Sequence, residues 1–594
     1  MPENILVAVA WPYANSRIHV GNITGSYLPA DIFARYHRLI GNQVIMVSGS
    51  DAHGTPVTVR ADDENTTPLQ VYQKYHAGFL ELFQKLGLTY DLFTSTHTQN
   101  HFKVSQDLFL ALRENGYLYT DRQQQWYAPS QKRFLPDRYV EGTCYICGYT
   151  NARGDQCDNC GSLLDATLLI EPRSKTDGSV PELRETEHFY LDLAQLQPSI
   201  VEFLRQRESY WRPSVLRQSL GQILKEGLHG RAITRDLDWG IPVPVEGWEG
   251  KCLYVWFEAV IGYLSAAIEW AQIAGQPESW HNWWTQPGSR SYYFIGKDNI
   301  PFHAVFWPAQ LTGAGEWFGK IFEGRSGARL NLPYDVPANE FMNLEGKKIS
   351  GSRNWAVWGI DFLNRYDPDS LRYYLTANMP ESKDTDWDWS DFVRRNNDEL
   401  VATWGNLANR VLSFAYKNWE GHAPVPGELR PADQAILETV EAGFQGVGEQ
   451  IEAVHLRAAL LEALRLASEV NKYLDQSAPW FEIKSDKDLA AKTIYTALRA
   501  IDSLKILFSP FLPFSSERLH AYLGYARPLF GEQYVESLQD NLGEHQVLRY
   551  RAGQACGKWQ PSQLPPGQAL QQPGPLFRKL DESVAEEERA RLGS

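Results

Sequence analysis

Ile5-Leu-Val-Ala-Val-Ala10, running into Trp11-Pro-Tyr-Ala-Asn-Ser-Arg-Ile-His-Val-Gly-Asn22, is the stretch on which the fold turns. The uninterrupted apolar run reads as a strand. From Ile18 to Ile40, apolar residues recur at Ile32, Phe33, Tyr36, Leu39 and Ile40, spacing that gives a helix one buried face, and Gly41 supplies its stop. Val44-Ile-Met-Val-Ser48 is a second short apolar strand. Strand, helix and strand in this order imply a parallel βαβ unit, and ligands in such sheets bind beyond the carboxyl ends of the strands. That rule places Trp11 to Tyr13, His19 and Ser50-Asp-Ala-His-Gly54 on one rim. His19 and Asn22 fall one helical turn apart near a helix N-terminus, where backbone N–H groups favour phosphate.

A second segment, Gly346-Lys-Lys-Ile-Ser-Gly-Ser-Arg353, is a small basic loop far downstream. Taken singly, the first segment reads as ordinary scaffold and Lys347 and Lys348 as a solvated charge pair. Between the segments, residues 115–250 are irregular and rich in Gly, Pro and Asp, as expected of an insertion between two halves of a sheet. Strand-like runs resume at Leu253-Tyr-Val-Trp256 and Tyr292-Tyr-Phe-Ile295. Beyond 391 the pattern turns to long helical periods, Asp398–Tyr416, Ala432–Ile451, Leu456–Leu474 and Leu489–Phe508, which predict an α-helical bundle. The tail contains Gln560-Pro-Ser-Gln-Leu-Pro-Pro566, read as an extended linker, and then Phe577–Arg591, read as a short charged helix. The fold class is α/β with a parallel sheet, an inserted subdomain and a following helical bundle.

At 594 residues the chain exceeds one hydrophobic core. Its net charge of −15 argues against a surface coated in basic residues for non-specific nucleic-acid binding, but not against a local basic groove. The run from Ile5 to Tyr13 is too short to span a bilayer and lacks a basic leader, so a soluble, cytoplasmic protein with no membrane partner is expected. Four of the six cysteines form Cys144-x2-Cys147-x9-Cys157-x2-Cys160, two hooks that can deliver four thiolates to one tetrahedral ion, with Gly148 and Gly161 beside them to close the turns. Two reduced pairs or two disulfides are the alternative. Four sulfur ligands leave no open position, so the ion expected is one structural Zn2+. Cys252 and Cys556 read as isolated structural thiols.

Together and in this order the two loops resemble the HIGH and KMSKS signatures of class I aminoacyl-tRNA synthetases, with His19-Val-Gly-Asn22 and Lys348-Ile-Ser-Gly-Ser352 in the matching places. Adding Pro12-Tyr-Ala-Asn15, Asp51-Ala-His-Gly-Thr-Pro56, the cysteine knuckle, Tyr254-Val-Trp256, Ile261-Gly-Tyr263, Gly296-Lys-Asp298, Phe302-His303 and Ala478-Pro-Trp480, the chain is similar over essentially its full length to methionyl-tRNA synthetases. The resemblance implies a Rossmann-like catalytic domain in two halves, 1–114 and 253–327, separated by a zinc-knuckle insertion at 115–252. A KMSKS-loop linker domain at 328–390, an α-helical anticodon-binding domain at 391–540 and a C-terminal extension at 541–594 that returns to the catalytic body would follow.

The implied activity is methionine–tRNA ligase: L-methionine and ATP, with Mg2+, give methionyl-adenylate and pyrophosphate, and methionine passes to initiator and elongator tRNA(Met). By the same resemblance His19, Asn22, Lys348 and Lys297 are the catalytic candidates, and Tyr13, Ala14, Asn15, His19, Gly21, Asn22, Lys348, Ser350, Gly351 and Ser352 line ATP. Lys297 read alone is equally a surface lysine at a strand end. Methionine would meet Trp11, Tyr13, Asp51, Trp256, Val260, Tyr263, Asn299, Phe302 and His303, with aromatic walls, polar tips on Tyr263 and His303, and Asp51 for the ammonium. Asn406, Arg410 and Trp480 match the anticodon-reading positions, a helix-capping network being the alternative. The length leaves no room for a large editing insert, and without an added OB-fold domain a monomer is expected. Five positions depart from the family pattern: Trp11 for Leu, Val260 for Pro and Asn299 for Ile in some members, Asn22 for the second His and Gly351 for the second Lys. Competing readings are an amino-acid-activating paralogue with a non-tRNA acceptor and a catalytically silent RNA-binding protein.

Overall fold

β1 (Asn4–Val9) carries nothing polar after Asn4 because both of its faces are covered. Successive side chains point to opposite faces: Ile5, Val7 and Val9 enter one core with Phe33 and Tyr36, while Leu6 and Ala8 enter another with Leu108 and Leu264. The computed structural model describes residues 2–593 except 137–138, 155–156, 158, 161–163 and 317–328, together with all but the side chain of Ser352. In it β1 is an interior strand of a seven-stranded sheet.

The other strands are β2 (Gln43–Ser50), β3 (Leu92–Ser95), β4 (Arg290–Gly296), β5 (Ala338–Asn339), β6 (Glu532–Asp540) and β7 (Gly543–Arg551), in the spatial order β5-β4-β1-β2-β3-β7-β6. β1 to β5 pair in parallel, with Ile5 opposite both Arg290 and Val44. The chain leaves β1 in one direction across the sheet and returns to its other side at β4, so the topological switch point lies beyond the ends of β1 and β4. β6 and β7 form an antiparallel hairpin that joins β3 through Leu548 and Phe93, placing residues on both sides of 541 in the catalytic sheet.

One expected strand is corrected. Only Cys252–Leu253 is extended, paired with Thr234–Arg235 away from the main sheet, and Val255–Glu258 is helical with Tyr254 as its N-cap. A short apolar run cannot by itself separate a buried strand from a buried helix turn. The insertion is built on a long antiparallel pair, Leu118–Ala128 with Glu182–Leu191, which carries the knuckle at its end. Gly161 and the expected boundary at 327/328 lie outside the described residues.

The bundle comprises helices Asn406–Asn418, Pro431–Glu452, Leu456–Ser477 and Lys487–Phe508. Its Val440, Leu460 and Leu504 belong to the same core as Ile5 and Phe33. A buried ion cluster pins this junction: Arg372 Nη2 lies 2.7 Å from Asp31 Oδ2 and donates to the Pro510 carbonyl, and Arg35 Nε donates to the same carboxylate at 2.9 Å. Burial alone would raise the Asp31 pKa, but Arg35 and Arg372 outweigh it and hold it at about 2. The C-terminal segment runs back over this surface. Phe577 packs on Gly405, Glu588 takes a bidentate pair from Arg365 at 2.8 Å, and Gly593 N–H donates to the Asn354 carbonyl at 3.0 Å. Among the described residues no helix is long and apolar enough to cross a membrane.

Candidate functional site

The loops leaving β1 and β2 are tied together: Ala14 N–H donates to the Asp51 carbonyl at 2.9 Å and Asp51 N–H to the Pro12 carbonyl at 2.8 Å. This fixes Tyr13, Ala14 and Asn15 ahead of the helix that begins at Val20. His19 caps that helix. Its Nδ1 accepts from the Asn22 N–H at 3.4 Å while its own N–H donates to Asn22 Oδ1 at 3.2 Å, a reciprocal capping box. With Nδ1 accepting, the neutral ring carries its proton on Nε2, and burial lowers the His19 pKa to about 4. A π-helical turn, Ile23–Tyr27, follows, and Asn339 donates to its Thr24 carbonyl at 2.9 Å.

The second loop is a folded-back turn. Leu344 and Lys347 exchange backbone hydrogen bonds at 2.7 and 3.0 Å, and Ser350 and Trp355 do so at 2.9 and 3.0 Å. Its Ile349 touches the first loop: a β-carbon on Gly21 would lie 3.1 Å from Ile349 Cδ1 and from the His19 ring, so glycine is what lets the loops meet. Val20 N–H donating to Val357 and Gly359 N–H donating to Ile18, both at 3.0 Å, complete the join. Lys348 is exposed, its ammonium 6.0 Å from the centre of the Phe341 ring. Gly351 opens a short 3-10 turn, Gly351–Arg353. Lys297 lies over the same Phe341 ring at 4.3 Å, but its ammonium is held at 2.7 Å by Glu340 and at 2.7 Å by Asp384.

The pocket lies beside these loops. Trp11 is sandwiched between Gly49 and Gly262, where β-carbons would fall 2.2 and 2.6 Å from the indole. Two glycines therefore match the large residue at position 11. Its ring meets Tyr263 edge-on at 6.4 Å; the Tyr263 hydroxyl donates to His303 Nε2 at 2.7 Å, and His303 Nδ1–H donates to the Asn299 carbonyl at 2.9 Å. Burial lowers His303 to about 4, so this relay holds a neutral ring. Trp256 Nε1 donates to the Tyr13 hydroxyl at 3.0 Å and packs on Phe302 at 4.9 Å, with 44% of its surface exposed, as the outer wall. Val260 is buried in the same core as Tyr263. Asp51 is buried, and burial together with the Glu258 charge raises its pKa well above the carboxylate range. Among the described residues no cation pairs with it.

Glu258 is a site residue that the sequence reading missed. It is fully buried, accepts from His53 Nδ1 at 2.9 Å and lies 3.3 Å from His101 Nε2, so three polar groups form the floor behind Asp51. The signal was available: one carboxylate inside the apolar run Val255–Ile261.

The Sγ atoms of Cys144, Cys147, Cys157 and Cys160 lie within 4.8 Å of one another, with those of Cys147 and Cys157 3.6 Å apart. A tetrahedral ion with sulfur at about 2.3 Å requires edges near 3.8 Å, so the donor set fits zinc. All four are free thiols, and Gly148 closes its hook at φ 76°.

A family model described as "tRNA synthetases class I (M)" matches residues 5–412, and one described as "Anticodon binding domain of methionyl tRNA ligase" matches residues 423–547. Methionine–tRNA ligases of Thermomicrobium roseum and a Roseiflexus species are 55% and 54% identical to this chain, each over 100% of it and 99% of the relative. The chain belongs to the methionyl-tRNA synthetase family. Its fold is that of the Mycobacterium tuberculosis methionyl-tRNA synthetase crystallised with methionyl-adenylate, at a TM-score of 0.74 and 24% identity, covering 97% of this chain and 100% of the other.

In this methionyl-tRNA synthetase fold the far end of the bundle gathers the remaining predicted residues. The helix before Asn406 passes through a π-helical stretch, Asn396–Gly405, and leaves Asn406 exposed. Arg410 is half-buried, held by Asn471 at 3.1 Å and Asp475 at 3.2 Å, with its guanidinium 5.0 Å from the Trp480 ring centre. Trp480 is set by a sharp corner: Ala478 is left-handed at φ 45° and Pro479 opens the next helix.

Proposed function

We infer that the chain is a methionine–tRNA ligase that activates L-methionine with ATP and transfers it to initiator and elongator tRNA(Met). One observation carries the reading to this substrate: a buried carboxyl, Asp51, with no cationic partner among the described residues, at a pocket walled by Trp11, Tyr263 and Trp256 on the rim where the two signature loops touch. An ammonium supplied by the amino acid returns Asp51 to its charged form, and an unbranched thioether fits aromatic walls with a single relayed hydroxyl.

In activation the methionine carboxylate attacks the α-phosphorus of ATP and pyrophosphate leaves. The protein supplies position and charge rather than a nucleophile. His19 donates Nε2–H to the phosphates, Asn22 keeps His19 in that tautomer, and Lys348 closes onto the leaving pyrophosphate. Tyr13, Ala14, Asn15, Gly21, Ser350, Gly351 and the backbone at Ser352 line the nucleotide. Mg2+ bound with ATP would share the polyphosphate charge. Lys297, already met by Glu340 and Asp384, shapes the rim around Phe341. In transfer the terminal ribose 2′-hydroxyl of tRNA attacks the methionyl carbonyl of the adenylate, forming the ester as the acyl–phosphate bond breaks and AMP leaves, while Asn406, Arg410 and Trp480 read the CAU anticodon. Zn2+ on the four cysteines supplies structure only. A cytoplasmic location and a monomeric state complete the proposed reading. Methionine-dependent ATP–pyrophosphate exchange followed by tRNA charging, in one preparation, tests this: exchange without charging would favour the paralogue with another acceptor, and neither would favour a silent RNA-binding protein.

A further inference from the structure

One indole joins His19 of the first signature loop to Gly351, where the second departs from the family pattern. Trp358 is bridged through its backbone to His19, and their rings are 6.2 Å apart. A β-carbon at position 351 would lie 3.1 Å from Trp358 Cη2, so the indole takes the space a side chain there would enter first. Its Nε1 donates to Asn354 at 2.9 Å, which ties the ring to the second loop. The Arg17 guanidinium lies 5.1 Å from the centre of the same ring and pairs with Asp361, with 44% and 40% of the two side chains exposed. Arg17 thus sits two residues before His19, against the ring that covers Gly351. Lys347, the other cation beside Lys348, is engaged instead with Trp355 at 4.8 Å.

We propose that Arg17 is the second cation of the nucleotide site, meeting the ATP triphosphate and the departing pyrophosphate in place of the lysine absent at position 351. The proposal rests on reading this rim as an ATP-dependent activating site. Asp361 is the resting counter-ion. One half-exposed carboxylate is a weak competitor for a guanidinium once a polyphosphate offers several charged oxygens. The planar fork, stacked on an indole, is held ready to pair with phosphate oxygens.

The test begins with the full chain. If the unsubstituted protein shows no methionine-dependent exchange, the activating-site reading itself fails. Given exchange, Arg17→Gln should lower the forward rate by about 30-fold or more and raise the KM for pyrophosphate in the reverse reaction about tenfold, with methionine Kd and the melting temperature unchanged. Arg17→Lys should lie between. Asp361→Asn separates a cation from a mere loop fastening: it should leave the rate unchanged or raise it, because Arg17 is released to the phosphates. Equal losses for Arg17→Gln and Asp361→Asn would overturn the proposal. So would Arg17→Gln within twofold of the unsubstituted enzyme, or a pyrophosphate defect that follows Arg353→Gln instead.

Discussion

Asn22 and Gly351 look alike in the sequence, each a lost side chain of a signature loop, yet their physical consequences differ. At Asn22 the backbone N–H donates to the His19 ring and fixes which nitrogen carries the proton, while the side chain accepts from the His19 N–H and closes the reciprocal cap. Gly351 removes a cation, and the space its side chain would enter is filled by Trp358. On the proposed reading the leaving-group charge is left to Lys348 and Arg17. Lys348→Ala should lower the activation rate by about 100- to 1,000-fold while methionine Kd changes less than threefold, because the contact forms only as charge develops on the leaving group. Stopped-flow adenylate formation beside equilibrium methionine binding measures both; parallel losses would remove Lys348 from that role.

Among the elements, the bundle was the most legible and the segment after residue 250 the least. The last three amphipathic periods gave helices within a few residues of their ends, because a face that must be buried repeats along the sequence, whereas the first, Asp398–Tyr416, starts inside the π-helical stretch Asn396–Gly405 that leads into Asn406–Asn418. Leu253–Trp256 carries no such repeat, so only tertiary context made Val255–Glu258 a helix turn. The β6–β7 hairpin was equally hidden: its residues are mostly half-exposed and mixed in polarity, and its place on β3 is set by the catalytic sheet rather than by local pattern. The loops of the site were legible because they need particular residues, whereas Glu258, His53 and His101 meet only in the folded chain. Two elements can be tested separately. Trp480→Ala should reduce tRNA charging by at least about 100-fold and leave ATP–pyrophosphate exchange within twofold, since base stacking is worth about 1–3 kcal/mol and positions the neighbouring reading groups. Stripping zinc should remove folding free energy on the order of 10 kcal/mol from the insertion, seen as protease cleavage there while the bundle resists. Equal sensitivity of both regions would contradict a local, structural ion.

At the scale of the molecule, one core runs from Ile5 and Phe33 into the bundle, and the Asp31–Arg35–Arg372 cluster crosses the same junction. The catalytic sheet and the bundle are thus joined through packed side chains rather than a linker. Buried histidines give this body an acid limit. Burial holds His37 and His53 at about 3 and His76 and His303 at about 4, against an ordinary 6.5. Below pH 6.5 the unfolded chain therefore binds protons that the folded chain refuses. Stability is full above that value and is lost as pH falls toward 4. Urea midpoints measured from pH 7.5 to 4.5 at fixed zinc should decline through this window; a flat profile would mean these rings are charged in the fold. The choice of amino acid is tested by ATP–pyrophosphate exchange run with each of the twenty amino acids in turn. Methionine alone should support exchange above background, and a different amino acid exceeding it, or exchange with none, would contradict the assignment.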